Sequence, residues 1–257
     1  MKNMRSRTFW SKYSLIALLT ASIFFIVPDV SWAAPADLVE SILGGETDTL
    51  EILFMLSLIM LLPSMLIMMT SFTRIIIVLG FLRTSMGLQQ SPPNQVLIGI
   101  ALFLTLFIMQ PTLDTIYQEA FVPYEAGMIS ASEAIDNAQD PLKEFMLKQI
   151  KPNNLNLFLQ MKNETLPVDY TMEDLKDLGL SVIVPAFMTS ELKQAFLMGF
   201  LLYLPFIIID MVVASALMSM GMMMLPPAMI SMPFKLLLFV LVDGWNLIVT
   251  TLVRGFV

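Results

Sequence analysis

The chain has 257 residues and a formal net charge of −7; 57% of its residues are hydrophobic and only 14% are charged. An ordinary soluble domain carries about 25% charged residues, so this composition predicts an integral membrane protein. The sequence contains no Cys and no His, which excludes disulfides, thiolate nucleophiles, Ser-His hydrolases and metal centres ligated by Cys or His.

Residues 1–33 are predicted to form a secretory signal peptide. A basic stretch covers residues 1–12, the apolar run Leu15–Val27 follows, and small residues precede a cut between Ala33 and Ala34. The apolar run of 13 residues reaches only about 20 Å as a helix, which is too short for a hydrocarbon core of ~30 Å. The alternative is an uncleaved first membrane helix.

A flexible lead-in is predicted for residues 34–49, and a first helical hairpin for residues 50–111. Pro92-Pro93 breaks this hairpin, and the apolar run Val96–Met109 that follows has only 14 residues. A helix of that length spans about 21 Å, short of the bilayer core. Pro63, and Pro205 later in the chain, are expected to interrupt other apolar segments.

Residues 112–194 change in character, with 13 acidic and 6 basic side chains, and are predicted to form a small helical domain in water. Capping boxes are predicted at Ser130–Glu133 and Thr171–Asp174. Three further helix signals are an N-cap at Asp140 before Pro141, a helix C-terminus at Gly179, and one apolar helical face made by Leu142, Phe145, Met146 and Ile150.

Residues 195–257 are predicted to form a second helical hairpin with a Met-rich loop. Arg74 and Arg83 are the basic residues between the first two apolar segments, which predicts a cytoplasmic loop there. The polar domain would then be periplasmic, consistent with a signal peptide. The fold class predicted is therefore all-α: an integral membrane protein of two hairpins with a periplasmic helical domain between them.

The two hairpins carry an internal repeat. Ser85-Met86-Gly87 is followed after four residues by Pro92-Pro93, and Ser219-Met220-Gly221 is followed after four residues by Pro226-Pro227. Every member is offset by 134 positions. This spacing favours a duplicated hairpin of the kind seen in membrane transport proteins, with coincidence as the alternative.

Asp210, Lys235 and Asp243 interrupt apolar runs. A lone charge at the centre of a bilayer costs at least ~2.5 kcal/mol, so we expect protein or water around these groups, with the hairpins packed against neighbouring subunits. Asp210 and Lys235 are predicted partners, which could join subunits. Alternatively, Lys235 reaches to the interface while Asp210 faces water.

Seven of the 15 residues from Met218 to Met232 are Met, and Met222-Met223-Met224 stands between Gly221 and Pro226-Pro227. A helix cannot simply run through this Pro pair, so the segment is predicted to be a loop or broken helix. Long, flexible thioether side chains could form a hydrophobic gasket that closes a pore yet yields to a passing chain. Gap-filling packing and Cu(I) binding are the alternatives.

Several segments closely resemble the FliP family of flagellar export proteins and are similar to its injectisome homologues. They are Met69–Leu79, Gln90–Gln95, Val184–Phe187, Ser190–Lys193, Pro205–Asp210, Met218–Pro227, Pro233–Lys235 and Val242–Trp245. The resemblance covers residues from about 50 to the C-terminus. The long N-terminal lead-in looks like the flagellar branch.

This resemblance implies a subunit of a type III export gate in the bacterial inner membrane and flagellar basal body. About five copies would join FliQ and FliR around a central channel, near FlhB and FlhA. Unfolded export substrates would pass through it. The hairpins would be largely lifted out of the bilayer into the periplasmic space.

The family's gate maps onto Met222, Met223 and Met224, and its buried acid and lysine match Asp210 and Lys235. Its ring contacts in the periplasmic domain suggest Phe145, Phe158 and Glu191, although the two Phe side chains could equally belong to the core of that domain. Glu191 could simply favour a helix start.

We therefore expect a non-enzymatic pore subunit, without cofactor and without a basic face for nucleic acid. An injectisome subunit is the nearest alternative. A proton-coupled small-molecule carrier using Asp210 and Asp243 is a further one. An intramembrane aspartyl protease would need a Gly-x-Gly-Asp loop, which Leu241–Gly244 lacks.

Overall fold

The structure is a computed structural model, and it describes residues 56–57, 60–61, 64–65, 67–88, 91–163, 175–222 and 224–256. The chain divides into two units, Met1–Met60 and Leu61–Val257; the fold below is that of the second. The predicted signal peptide, its Ala33–Ala34 cleavage site and the lead-in at 34–49 lie outside the described residues.

The described elements are all helical, as predicted. They are α1 (Phe72–Ser85), α2 (Asn94–Ile116) with a π-helical turn (Tyr117–Phe121) and α3 (Val122–Glu125), α4 (Ala131–Gln149), α5 (Pro152–Lys162), α6 (Leu180–Ser219), α7 (Pro227–Leu241) and α8 (Gly244–Arg254).

Two continuous helical stretches of the described chain are long and apolar enough to cross a membrane. One runs from Asn94 to Glu125 and the other from Leu180 to Ser219, and α7 with α8 would add a third if this pair, bent by 64°, counts as one span. The membrane character predicted from composition is therefore supported by helix length as well.

Both long helices correct an expectation about length. The segment expected to be a short helix over Val96–Met109 runs for 23 residues through Pro111, and the helix Leu180–Ser219 of 40 residues runs through Pro205. A proline removes one backbone donor and crowds the carbonyl four residues earlier. Where the flanking turns are otherwise intact, the helix continues. Each predicted boundary of the polar domain, at 111/112 and 194/195, lies inside one of these helices.

Local signals in the polar domain had mixed outcomes. The capping box is confirmed: the backbone N–H of Glu133 donates to Ser130 Oγ at 3.3 Å, and the N–H of Ser130 donates to Glu133 Oε2 at 2.8 Å. This second bond is the main reason that the pKa of Glu133 is lowered. The predicted box at 171–174 lies outside the described residues.

Two of these signals were wrong. Gly179 does not end a helix; it is the N-cap of α6, with φ −67° rather than a left-handed value. Asp140 does not begin a helix, because α4 already starts at Ala131 and includes Pro141. The stronger cap at Ser130 starts the helix, and Pro141 is accommodated within it.

Two hydrophobic cores form. One joins α1, α2, α6, α7 and α8, with Ile75, Leu79, Leu82 and Phe206 among its buried members. The other joins α4, α5 and the start of α6 around Met146, Leu155, Val182 and Phe187. The apolar face predicted on α4 is confirmed, since Leu142, Phe145 and Ile150 pack against this second core together with buried Met146.

The two copies of the repeat have matching backbone conformations. α1 ends at Ser85 and α6 ends at Ser219. In each case a glycine two residues later is left-handed, with φ +78° at Gly87 and +74° at Gly221. Both ends are Schellman motifs. At the first, Gly87 N–H donates to Thr84 O and Leu88 N–H donates to Arg83 O; at the second, Gly221 N–H donates to Met218 O and Met222 N–H donates to Leu217 O. Each hydrogen bond of the first motif thus has a counterpart 134 residues later.

The second arms of the two hairpins also match. The first three buried positions on α2 are Leu97, Ala101 and Thr105, and the buried positions on α7 are Ser231, Lys235 and Phe239. Taken in order, each α2 residue precedes its α7 counterpart by 134 positions. Equivalent positions are therefore buried on the second helix of each copy.

Helices α1 and α6 run parallel in close contact. Arg74 pairs with Glu191 and Phe81 lies against Gly199, so contacts advance in the same direction on both helices. A Cβ on Gly199 would lie 2.4 Å from the Phe81 ring, a distance that real Cβ atoms do not tolerate. The glycine is required here for close approach of the helices.

We predict that Gly199→Ala lowers stability by about 1–3 kcal/mol, because the phenyl ring must shift within a packed core. Gly80→Ala on the facing helix is the matched control. A Cβ there meets nothing within 4 Å, so that variant should gain up to about 1 kcal/mol of helix propensity. Thermal unfolding in detergent measures both, and equal shifts would contradict the predicted contact.

Candidate functional site: the methionine loop and two ion pairs

The methionine loop, defined as Met220–Pro226, joins α6 to α7. The Schellman motif at Gly221 ends α6, and Pro226 and Pro227 occupy the N-cap and first position of α7. The loop predicted from the Pro pair is therefore present. Its backbone is constrained at both ends, so the side chains are its adaptable part.

The loop methionines do not fill the core of their own chain. Met224 is 98% exposed and Met222 is 43% exposed, while Met223 lies outside the described residues. Met218 and Met229, on the flanking helices, are also exposed. Among the described residues, Met222 and Met224 therefore do not act as gap-filling core side chains.

The hairpin arms that carry the loop are exposed as well. Large apolar side chains lie open on both: Ile208, Met211, Val212 and Met218 on α6, and Met229, Ile230, Phe234 and Leu237 on α7. An apolar surface of this extent on a soluble monomer would be a liability. It requires cover from lipid or from other chains.

The arms are joined by a polar cluster at the predicted pair. Lys235 Nζ donates to Asp210 Oδ2 at 2.6 Å and to the carbonyl of Ser85 at 3.1 Å. Ser231 Oγ donates to Asp210 Oδ1 at 2.5 Å. Lys235 is only 4% exposed, so the alternative in which it reaches to the interface is wrong. The pairing lies within one chain; a link between subunits stays a prediction.

Lys235 also connects the two copies of the repeat. The Schellman motif of α1 uses the carbonyls of Arg83 and Thr84, and Lys235 donates to the next carbonyl, that of Ser85. A cation at a helix C-terminus is favoured by the helix dipole. In the first copy the positions equivalent to Asp210, Ser231 and Lys235 are Ile76, Leu97 and Ala101. The polar cluster is therefore peculiar to the hairpin that carries the methionine loop.

The second ion pair centres on Arg74. Its Nε donates to Glu191 Oε2 at 2.8 Å and its Nη2 donates to the other carboxylate oxygen. Nη1 donates to the carbonyl of Gly255 at 2.8 Å and Nη2 also to Gln149 Oε1 at 3.1 Å. The Phe256 ring lies 3.8 Å from the guanidinium carbon. One side chain thus binds α4, α6 and the residues after α8.

This geometry corrects the topology argument. Arg74 was predicted to lie in a cytoplasmic loop, yet it is inside α1 and 1% exposed. Because its charge is neutralised within the fold, it carries no information on membrane sidedness. Arg83, near the turn between α1 and α2, donates to Asn94 and remains the basic residue on which that argument depends.

The three candidates for ring contacts lie in or beside the second core. Glu191 is fully buried against Arg74. Phe145 packs edge-on against Phe187 and stacks on Phe256, with centroids 6.0 and 6.1 Å apart. Phe158 packs partly buried against the same core. Their role in contacts between subunits stays a prediction.

Asp243 occupies a different environment from Asp210. It is the N-cap of α8 with a left-handed backbone, φ +50°, and it accepts a hydrogen bond from Asn246 Nδ2 at 3.2 Å. Asp210 is instead bound by Lys235 and Ser231, so the two acids have different hydrogen-bond partners.

Sequence reasoning missed Ser231, Ser85, Gln149 and Gly255 as partners of the buried charges. One signal was available for Ser231, which precedes Lys235 by four residues and so shares its helical face. The carbonyl partners carry no signal in the sequence, because every residue type offers the same group.

We predict that Arg74→Ala destabilises the protein by about 3–5 kcal/mol, since it leaves Glu191 buried without its partner. The double variant Arg74→Met with Glu191→Met should be less destabilised than either single change. Arg83→Ala, which removes a more exposed arginine from the same helix, is the control and should shift unfolding by about 0.5 kcal/mol or less. If the losses in unfolding free energy of the two single variants simply add in the double variant, the predicted pairing is wrong.

For Asp210 and Lys235, we predict that exchanging the two charges recovers only part of the loss seen in the single variants. A lysine at 210 can pair with an aspartate at 235, but an aspartate at 235 cannot donate to the Ser85 carbonyl. Unfolding in detergent measures this cycle. If the doubly exchanged variant is no more stable than Lys235→Asp alone, the two groups do not interact.

Comparison with known proteins gives one consistent result. The model of the FliP family matches residues 55–252. The flagellar biosynthetic protein FliP of Bacillus subtilis is 55% identical over 210 residues, which cover 82% of this chain and 93% of that protein. FliP of Pectobacterium carotovorum is 47% identical over 93% of this chain and 92% of that protein. FliP of Caulobacter vibrioides is 46% identical over 95% of this chain and 90% of that protein.

These matches agree with the all-helical, apolar fold. They name a flagellar biosynthetic function, and the family is one of flagellar export components rather than of enzymes. The chain belongs to the FliP family.

Proposed function

We propose that this chain is a pore-forming subunit of the flagellar protein export gate. About five copies would surround a channel for unfolded flagellar proteins, and Met222, Met223 and Met224 of each copy would close it. The observation that carries this proposal is the exposure of Met220, Met222 and Met224 between two apolar helices, where none of the described residues buries them.

Assembly explains why so much apolar surface is left open. The buried Lys235 joins α7 to α6 part-way along the hairpin, and exposed apolar side chains lie on both sides of it. Contacts between copies around an axis would cover those arms and bring the loops together. The hairpins would then pack mainly against protein, as expected where charged residues lie inside apolar helices.

The loop has the physical properties of a seal. Gly221 and the Pro226-Pro227 pair fix its backbone, so several copies would present it at a defined position. Unbranched thioether side chains adapt to irregular gaps. A ring of them would exclude water and ions at rest and would deform around a translocating chain.

The remaining assignments rest on the family resemblance. The chain is placed in the inner membrane at the flagellar basal body, with residues 112–194 in the periplasm between hairpins 50–111 and 195–257. FliQ, FliR, FlhB and FlhA are the proposed partners, and Phe145, Phe158 and Glu191 are proposed to support ring contacts. The relatives described above are flagellar, which favours a flagellar gate over an injectisome.

Replacing Met222, Met223 and Met224 together with Ala should make the assembled gate leak small ions, because each replacement removes most of a side chain that fills the pore. Membrane conductance in cells or in planar bilayers measures the leak.

The matched control replaces the same three residues with Leu, which keeps apolar volume and should largely keep the seal. Conductance of the Ala variant equal to that of the unmodified gate, with normal assembly shown by native mass, would exclude the methionine seal.

A further inference from the structure

Some of the described methionines are buried and others are exposed. Met69, Met86, Met109 and Met146 are buried in the two cores. Met220, Met222 and Met224 of the methionine loop are exposed, as are other methionines on the hairpin arms (Met211, Met218 and Met229) and elsewhere (Met65, Met68, Met128 and Met161). The loop differs from these by its position, because the proposed assembly covers the arms and leaves the loops facing the channel. Buried thioethers are shielded from solutes, whereas exposed ones react with oxidants.

The repeat supplies an unusually close comparison between the two environments. Met86 and Met220 are equivalent residues, 134 positions apart, at the C-caps of Schellman motifs with the same hydrogen bonds. Met86 is 3% exposed and Met220 is 66% exposed. Met86 and Met220 thus have the same backbone conformation and differ mainly in how much of the side chain solvent can reach.

We propose that Met220, Met222 and Met224 of the methionine loop form a reversible oxidation site that takes hydrogen peroxide. The thioether sulfur attacks one peroxide oxygen and the O–O bond breaks. That oxygen stays on sulfur as the sulfoxide, while the departing hydroxide takes up the remaining proton as water. Sulfur loses two electrons and the peroxide gains them, so the step needs no further reactant.

Oxidation would change the character of the loop. A sulfoxide is polar and accepts hydrogen bonds, whereas the thioether is apolar and excludes water. If the loop seals a pore, as proposed above, several sulfoxides in the ring would wet it and open a path for ions. Methionine sulfoxide reductases would restore the seal, because the sulfoxide is the reducible step of methionine oxidation.

The experiment exposes the full-length protein, assembled in its native membranes, to hydrogen peroxide and measures sulfoxide at each methionine by peptide mass spectrometry over time. We expect Met220 to be oxidised several-fold faster than Met86, and Met222 and Met224 faster than Met109 and Met146. Treatment with methionine sulfoxide reductase should reverse the modification. Equal rates at Met220 and Met86, or sulfoxide that the reductase does not remove, would overturn the inference.

A conductance measurement on the same membranes separates this inference from the proposed function. Peroxide should raise the ion leak, and the Leu variant of Met222, Met223 and Met224 should resist it. Selective sulfoxide formation without any leak would uphold the oxidation site and count against the methionine seal. A leak in the Ala variant together with slow oxidation of Met220 would uphold the seal and overturn the oxidation site.

Discussion

The arrangement of this protein depends on one buried cation. A guanidinium removed from water is costly unless its donors are satisfied and its charge is balanced. Arg74 meets both requirements only when α1, α4, α6 and the residues after α8 are all in place. The packing of α4 and α6 on α1 and the position of Gly255 are therefore linked through this side chain.

The duplicated hairpin shows how one structural unit serves two purposes. In the first copy, the face of α1 is buried by α6 and α8 in the core around Leu79 and Leu82. In the second copy, the same Schellman turn lies at the end of an arm on which Met211, Val212 and Met218 remain exposed. Divergence of a few residues, from Ile76 and Ala101 to Asp210 and Lys235, adds the charged link that holds the second hairpin to the first.

Much of this structure could be predicted from sequence because the signals are local. The cap at Ser130, the glycine-terminated helices at Gly87 and Gly221, and the loop before Pro227 each depend on a few neighbouring residues. The pairing of Asp210 with Lys235 was also predictable, since two opposite charges in apolar arms need each other.

The features that the sequence did not predict correctly share a physical cause, because they depend on contacts between residues far apart in the chain. Arg74 looks like a loop cation until Glu191, 117 residues later, is placed beside it. Gly179 looks like a helix end, but the helix that follows uses it as a start. The exposure of the methionine loop depends on which surfaces the rest of the chain leaves open, and periodicity does not encode that.

The polar cluster at Asp210 determines how far the end of the second hairpin can move. Lys235 links Asp210 on α6 to the Ser85 carbonyl at the end of α1, and α6 ends at Ser219, so the helix beyond this link is about 14 Å long. A tilt of about 10° there would displace the methionine loop by only about 2 Å. The ion pair therefore holds the loop at a nearly fixed distance from the first hairpin.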